Sequence, residues 1–215
     1  MTDRPALSRT RIIDAAVAVA DEGGLSAVSM RNVGAEAGVE AMSLYHHVKN
    51  KEDLLDALAD WIFTRIELPA LDDPWRPAMA ARAASARTLL STHPWALGLI
   101  ESRAPGPALL HHHDTVLGCL RTNGFSVQLA SHAFSAIDSY VYGFVLTEQN
   151  IPLEQGESPE AFVAEIGMPA GEYPFLTEMT TALIADGDYA FADEFDYGLG
   201  LILDALEGRR HILDE

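Results

Sequence analysis

The stretch SMRNVGAEAGVEAMSLYHHVKNK, residues 29–51, decides the fold of this chain. Ser29 is a typical helix N-cap, and residues 30–37 can follow as a helix that must stop at Gly38, where a residue without a Cβ most easily reverses the backbone. A second short helix is expected over about residues 40–47. Two short helices joined by such a turn are typical of a helix-turn-helix unit.

The second helix of this unit has side chains that are short or flat on its expected outer surface. They are Ala41, Met42, Ser43 and Tyr45. A helix with such a surface fits the major groove of B-DNA. Gly34 and Leu44 are spaced so that a small and an apolar residue can meet where the two helices cross. The alternative is a pair of packed core helices, since short connections between helices are common.

Two further helices flank the unit. Ser8 is a candidate N-cap for a preceding helix, whose apolar residues recur at helical spacing and which Gly23 and Gly24 should end. Asn50 is a candidate N-cap for a following amphipathic helix, which has Asp53 in its first turn and is expected to reach about residue 67.

The order of these elements, together with the string LYHHVKNKEDLLDAL at residues 44–58, resembles the tetracycline-repressor (TetR) family of transcriptional regulators. The resemblance covers residues 6–66 most closely. It continues through RTLLSTHPWALGLIESRAPGP at residues 87–107, NGFS at 123–126 and FSAIDSYVYGFVLTEQ at 134–149.

The resemblance implies an all-α protein. A three-helix DNA-binding domain, residues 6–66 with the helix-turn-helix at about 29–48, would be joined by a helix to a larger ligand-binding and dimerisation domain, residues 67–215. It also implies a function, that of a homodimeric repressor that a small-molecule inducer releases from palindromic, double-stranded operator DNA.

The family resemblance further implies which residues face DNA. They are Met30, Arg31, Ala41, Met42, Ser43, Tyr45, His47 and Lys51. Ala41 departs from the tetracycline repressors, which have an amide side chain there that reads a base edge, so the operator sequence does not carry over. Lys49 and Lys51 lie at a helix start, where a phosphate would also meet free backbone N–H groups.

Charge is divided unevenly along the chain. Residues 1–51 contain six basic and six acidic side chains, whereas the remaining 164 residues contain eight basic and 26 acidic ones and so carry the whole net charge of −18. Affinity for phosphates comes largely from Lys and Arg. We expect the acidic part to repel DNA and to discourage non-specific binding; solubility is the simpler interpretation.

The chain beyond residue 67 has few strand signals. Prolines, glycines and capping residues predict helices at 75–92, 94–102, 107–122, 126–149, 159–166, 174–185 and 191–210. No run approaches the roughly 18 uncharged apolar residues that a membrane helix needs, and the N-terminus has no apolar signal segment. We therefore expect a cytoplasmic protein that does not bind membranes.

Two of these helices are more apolar than one buried stripe requires. The helix at 126–149 carries Ala133, Phe134, Ile137, Val141, Phe144 and Val145, and the last helix carries Phe195, Leu199, Ile202, Leu203 and Leu206. Gly143, Gly198 and Gly200 weaken a helix, which indicates close helix approach. By the resemblance, these two helices pair across a two-fold axis as a four-helix bundle; an ordinary intrachain core is the alternative.

The resemblance implies an inducer cavity among the helices between residues 75 and 149. Trp95, Phe134 and Tyr142 would offer apolar walls, and Arg103 and Asp138 would offer polar anchors. Asp138 lies in the middle of a very apolar helix, where an unpaired carboxylate is expensive. A cation or hydroxyl of a ligand could pair with it, and so could Arg103 or another internal partner.

Tetracycline itself fits this sequence poorly. The histidine that helps to hold the drug's magnesium in the tetracycline repressors aligns near Leu99, and the histidine on the helix after their helix-turn-helix aligns with Glu67. The class of inducer therefore stays open.

Three consecutive histidines, residues 111–113, invite a metal interpretation. Successive helical residues point about 100° apart, so three in a row cannot share one ion, and histidines that face solvent or a cavity are the favoured interpretation. Cys119 is expected to be a small core residue. No nucleophile elbow, phosphate-binding glycine loop or zinc spacing occurs, so we expect neither an enzyme nor a cofactor. The alternative to a DNA-binding regulator is a dimeric helical ligand-binding or protein-interaction module without specific DNA binding.

Overall fold

The computed structural model describes residues 6–150, 167, 169, 171–184 and 189–212. All regular elements in these residues are helical, with no strand among them, which confirms the predicted all-α class. The chain divides into two compact units, residues 1–142 and 143–215. No helix in the described part is long and apolar enough to cross a membrane.

Three helices open the chain: α1 (Arg9–Ala27), α2 (Met30–Ala37) and α3 (Ala41–Leu44). The predicted N-cap of α1 is confirmed, because the Ser8 side chain accepts the backbone N–H of Arg11. Gly24 has a φ of 69° and interrupts the helical backbone, but the helix resumes beyond it as far as Ala27. The prediction that α1 ends at this glycine is therefore wrong, because Gly24 kinks the helix without ending it.

The turn between α2 and α3 has the predicted capping residues at both ends. The Ser29 side chain accepts the backbone N–H of Asn32, and Gly38 is left-handed with a φ of 68°. Gly38 donates its N–H to the carbonyl of Ala35, and Val39 donates to the carbonyl of Gly34 over 2.8 Å. This pair of bonds is the Schellman motif, which ends a helix and reverses the chain.

Five helices follow in the first unit and at its boundary: α4 (Lys51–Phe63), α5 (Trp75–Thr92), α6 (Trp95–Ser102), α7 (Pro107–Thr122) and α8 (Val127–Glu148). Capping residues set several of these bounds. Asn50 accepts the N–H of Asp53 at the start of α4, and Ser126 accepts the N–H of Leu129 at the start of α8. The predicted bounds of α5 and α7 are confirmed, whereas α3 and α4 end three to four residues earlier than expected.

The core of the first unit is built from the apolar stripes that the helical spacing predicts. Its fully buried large side chains include Ile12, Leu44, Leu54, Leu58, Ile62, Met79, Leu90, Leu99, Leu120, Phe125 and Ile137. Cys119 is buried among them, as expected of a small core residue, and burial raises the pKa of its thiol.

The second unit contains the end of α8, then α9 (Pro174–Ile184), a short 3-10 turn (Phe191–Asp193) and α10 (Glu194–Ile212). The Phe144 ring stacks on Phe191 at 4.8 Å and meets Phe195 edge-on at 5.1 Å. Nine residues assigned to the dimer contact are buried within the single chain: Ala133, Ile137, Val141, Phe144 and Val145 of α8, and Phe195, Leu199, Leu203 and Leu206 of α10. The intrachain alternative is thus correct for them. The helix predicted at 159–166 lies outside the described residues.

Gly38 provides a direct test of the turn that positions α3. In Gly38→Ala, the left-handed φ of 68° would bring the new Cβ against the following carbonyl, so we expect the free energy of unfolding to fall by about 1–2 kcal/mol. Urea denaturation of the full chain measures this change.

Gly98→Ala is the matched control, because a Cβ at Gly98, inside α6, would meet no described atom within 4 Å. Alanine should stabilise that helix by up to about 1 kcal/mol. Equal effects of the two substitutions would contradict a special role for the turn at Gly38.

Candidate DNA-binding surface and ligand-binding core

The residues predicted to face DNA lie on α2, on α3, in the turn after α3 and at the start of α4. All are at least partly exposed: Met30, Arg31, Ala41, Met42, Ser43, Tyr45, His47 and Lys51. Met42 is 72% exposed and Tyr45 is 46% exposed, whereas Leu44 between them is completely buried. Helix α3 therefore turns one apolar side chain into the core and leaves an accessible outer surface.

Helices α2 and α3 approach each other closely at Gly34. A Cβ at this position would lie 3.1 Å from the backbone N and Cα of Ala41 and from the carbonyl oxygen of Val39. The glycine thus meets the backbone at the start of α3, while Leu44 is buried further along the helix. This close contact sets the angle at which the outer surface of α3 is presented.

Arginines on α1 hold the ends of this surface in place. Arg11 donates to the carbonyl of Ala37 at the end of α2 over 2.6 Å. Arg9 donates to the carbonyl of His47 over 2.9 Å and pairs with Asp53 of α4 at 3.0 Å. The hydrogen bond from Arg9, together with the backbone N–H of Lys49, holds the pKa of Asp53 below its usual range. The turn that carries His47 is therefore held by hydrogen bonds to α1, through Arg9, and to α4, through Asp53.

Arg103, predicted as a polar anchor for a ligand, directs its guanidinium to two carboxylates of α4. It pairs with Glu52 at 2.6 Å and with Asp56 at 2.5 Å, and these hydrogen bonds raise its pKa. A third tie between α4 and its neighbours joins Asp60 to the backbone N–H of Ala108, in the first turn of α7, at 3.2 Å. Arg103 thus links the end of α6 to the first half of α4.

Trp95, predicted as a cavity wall, lies beside α1. Its indole N–H donates to Asp21 over 2.6 Å, and Nδ1 of His93 lies 2.7 Å from the same carboxylate oxygen. The Trp61 ring meets the His93 ring edge-on at 5.1 Å and lies 6.4 Å from the Trp95 ring. Trp95 and Arg103 therefore both contact the helices next to the helix-turn-helix.

Asp138 has an internal partner, and that partner is Arg82 of α5. The two side chains form a short ion pair, and Nη1 of Arg82 also lies 2.9 Å from Nε2 of His112. Arg82 is 3% exposed and His112 is 1% exposed. Burial, reinforced by the positive charge of Arg82, lowers the pKa of His112 to about 3. We call Arg82, His112 and Asp138 the polar cluster.

The remaining predicted ligand residues surround the polar cluster. The Phe134 ring lies 5.7 Å from the Arg82 guanidinium carbon and 4.5 Å from the His113 ring. Burial and the nearby Asp138 carboxylate raise the pKa of Tyr142. The structure thus brings Phe134, Asp138 and Tyr142 together, whereas Trp95 and Arg103 have other partners.

Sequence reasoning missed Arg82 and did not distinguish His112 from His111 and His113. Arg82 stands in an alanine-rich helix at a position that turns inward with Met79 and Ala86, and this spacing was the available signal. Three consecutive histidines gave no sign of which ring turns inward; the structure buries His112 and leaves His111 exposed.

Two family models match the chain and together span most of it. The model for bacterial regulatory proteins of the tetR family matches residues 12–58, and the model for the tetracyclin repressor-like C-terminal domain matches residues 68–210. The second match alone covers more than half of the 215 residues.

Curated relatives and solved structures agree with these matches. The chain is 34% identical to the HTH-type transcriptional repressor DrrR1 of Streptomyces coeruleorubidus, over 95% of this chain and 78% of that protein. It is 31% identical to the class D tetracycline repressor of Escherichia coli, over 86% and 84% of the two chains. A possible TetR family transcriptional regulator from Streptomyces coelicolor A3(2) superposes with a TM-score of 0.73 at 28% identity, over 94% and 99% of the two chains. The protein therefore belongs to the tetracycline-repressor family of bacterial transcriptional regulators.

Proposed function

We propose that this protein is a cytoplasmic, homodimeric repressor that leaves a palindromic operator when a small molecule binds its helical body. The observation that carries the proposal is the outer surface of α3, held by the left-handed turn at Gly38 and the close approach at Gly34. Residues 6–66 would bind DNA, and residues 67–215 would bind the ligand and form the dimer.

Recognition of DNA would use the exposed surface of α3 in the major groove. Met42 and Tyr45 are the large exposed side chains there, and Arg31 is exposed on α2. Lys49 and Lys51 flank the start of α4, where the helix dipole and first-turn N–H groups favour a phosphate. Base contacts would come from α3 and α2, and backbone contacts from Tyr45, His47 and Lys51.

Exposed helix faces support dimerisation through α8 and α10. Along α8, small exposed residues recur every four positions: Ser131, Ser135, Ser139, Gly143 and Thr147. On α10, Tyr197 is 69% exposed and Leu201 is 56% exposed. A Cβ at Gly143 or Gly200 would meet no described atom within 4 Å, so close packing inside the described chain does not explain these glycines. A second copy against these faces would explain both the small and the apolar residues.

Ligand binding would act on DNA through α4. This helix begins at the helix-turn-helix and is tied to the body through Arg103 and Asp60. A ligand releases DNA only if it binds better to the conformation that does not fit the operator, and a shift of α4 is the direct way to change the spacing of two recognition helices. ActR from Streptomyces coelicolor, which shares this fold with a TM-score of 0.73 at 24% identity, has been solved with actinorhodin. We propose Trp95, Arg103, Phe134, Asp138 and Tyr142 as the residues that sense the ligand.

Lys51 tests the proposed contact with DNA. Operator fragments are first recovered from genomic DNA by capture on the full-length protein, and affinity is then measured across a range of salt concentrations. Lys51→Ala should weaken binding to all fragments alike and flatten the slope of log affinity against log salt by about one unit, because one phosphate contact is lost.

Arg209→Ala is the control for the loss of one positive charge, since Arg209 is exposed on α10. It should leave both the affinity and the salt slope unchanged. A Lys51→Ala protein with the salt slope of the unaltered protein would place the phosphate contacts elsewhere.

Leu201 tests the dimer surface. Leu201→Arg puts a charge on a face that is exposed in the single chain, so we expect a folded monomer that sediments at half the mass of the unaltered protein. Leu199→Arg is the contrasting variant, because Leu199 is only 3% exposed and a charge there should unfold the chain. A Leu201→Arg protein that stays dimeric in analytical ultracentrifugation would exclude this face.

A further inference from the structure

Two buried N–H groups of the polar cluster have no hydrogen-bond partner among the described residues: Arg82 Nε–H and one N–H of His112. The other two nitrogens of the Arg82 guanidinium contact His112 and Asp138: Nη1 pairs with His112 Nε2, and Nη2 donates to Asp138. Because an arginine can only donate, His112 Nε2 must accept, and the proton of the neutral imidazole then lies on Nδ1. That Nδ1–H is the second unpaired donor.

Bulk water does not reach either donor easily, since Arg82 is 3% exposed and His112 is 1% exposed. An unmade hydrogen bond on a buried donor costs free energy, and nearly all buried polar groups in proteins are paired. Two such donors on adjacent, hydrogen-bonded side chains therefore point to missing acceptors. A bound molecule with acceptor oxygens would remove the cost.

The charges of the cluster decide what kind of molecule fits. The carboxylate of Asp138 is already compensated by Arg82, and His112 is neutral, so the cluster has no unpaired negative charge to offer a cation. The cluster instead has two hydrogen-bond donors without acceptors among the described residues. Aromatic rings flank these donors: Phe134 lies beside Arg82, and the Phe63 ring lies 5.4 Å from the His112 ring.

We propose that the polar cluster binds an uncharged or anionic aromatic compound that carries carbonyl or phenolic oxygens, with Arg82 Nε–H and His112 Nδ1–H as donors to those oxygens. The inference rests on the proposed function, because this compound is the inducer. Phe63 belongs to α4, so a ligand at His112 lies next to the helix that leads to the DNA-binding surface.

The test compares two planar probes on the full-length protein without DNA, by isothermal titration calorimetry. 1,8-Dihydroxyanthraquinone has acceptor oxygens on an aromatic plane, and 9-aminoacridine is a cation of similar shape. We expect the anthraquinone to bind and the acridine not to bind. Stronger binding of the acridine would overturn the proposal in favour of Asp138 as an anchor for a cation.

Variants identify the donors. His112→Gln places an amide oxygen where Nε2 accepts from Arg82 and leaves nothing at Nδ1, so the fold is kept and one donor is lost. Binding of the anthraquinone should become roughly three- to tenfold weaker, the loss typical of one hydrogen bond. Arg82→Lys keeps the charge beside Asp138 but removes the Nε–H, and it should weaken binding in the same way. His111→Gln, on the exposed neighbour, should change nothing.

Nitrogen-15 spectra of the histidine side chains give a readout that does not depend on DNA. The His112 Nδ1–H signal should be present in the free protein and should shift when the anthraquinone binds. Absence of binding, or equal affinity in His112→Gln, would overturn the proposal and leave buried water as the acceptor. Probe binding as expected in a protein that captures no operator fragment would instead contradict the proposed function.

Discussion

Helix α4 is the element on which the rest of the structure depends, because it is packed against helices on both sides. Leu54, Leu58 and Ile62 on its apolar face are completely buried, and this burial supplies most of the free energy that holds α4 in place. The ion pairs at its polar face involve partly exposed carboxylates and are worth only about 0.2–1 kcal/mol each. Their role is geometric. Arg9 fixes the start of α4 against α1, and Arg103 fixes it against the end of α6.

This arrangement explains how a signal could travel without large rearrangement of the core. A buried apolar face resists change because the interior is close-packed, whereas weak, partly exposed ion pairs can exchange partners at low cost. The Glu52 and Asp56 pairs with Arg103 lie within the first two turns of α4, next to Lys51. A small displacement of the segment after α6 would therefore reach the proposed phosphate contact directly.

The polar cluster contrasts with these surface ties. Replacing a buried ion pair with apolar residues is often neutral or stabilising, whereas removing one partner is strongly destabilising. Stability therefore does not explain why Arg82, His112 and Asp138 occupy the interior of an otherwise apolar helical body. Specific recognition does, since buried donors left without acceptors discriminate strongly between molecules that have an oxygen at the right place and molecules that do not.

Local features of the sequence determined the helices, the turn at Gly38 and the caps at Ser8, Ser29 and Asn50, because a cap or a left-handed glycine acts within three or four residues. They did not determine which apolar residues of α10 are buried in the single chain, since large apolar residues, Tyr197 and Leu201, also occur on its exposed face. They also did not pair Asp138 with Arg82, which lies 56 residues earlier. Only the tertiary structure decided those contacts, because the burial of a charge and the choice of its partner depend on which helices pack together.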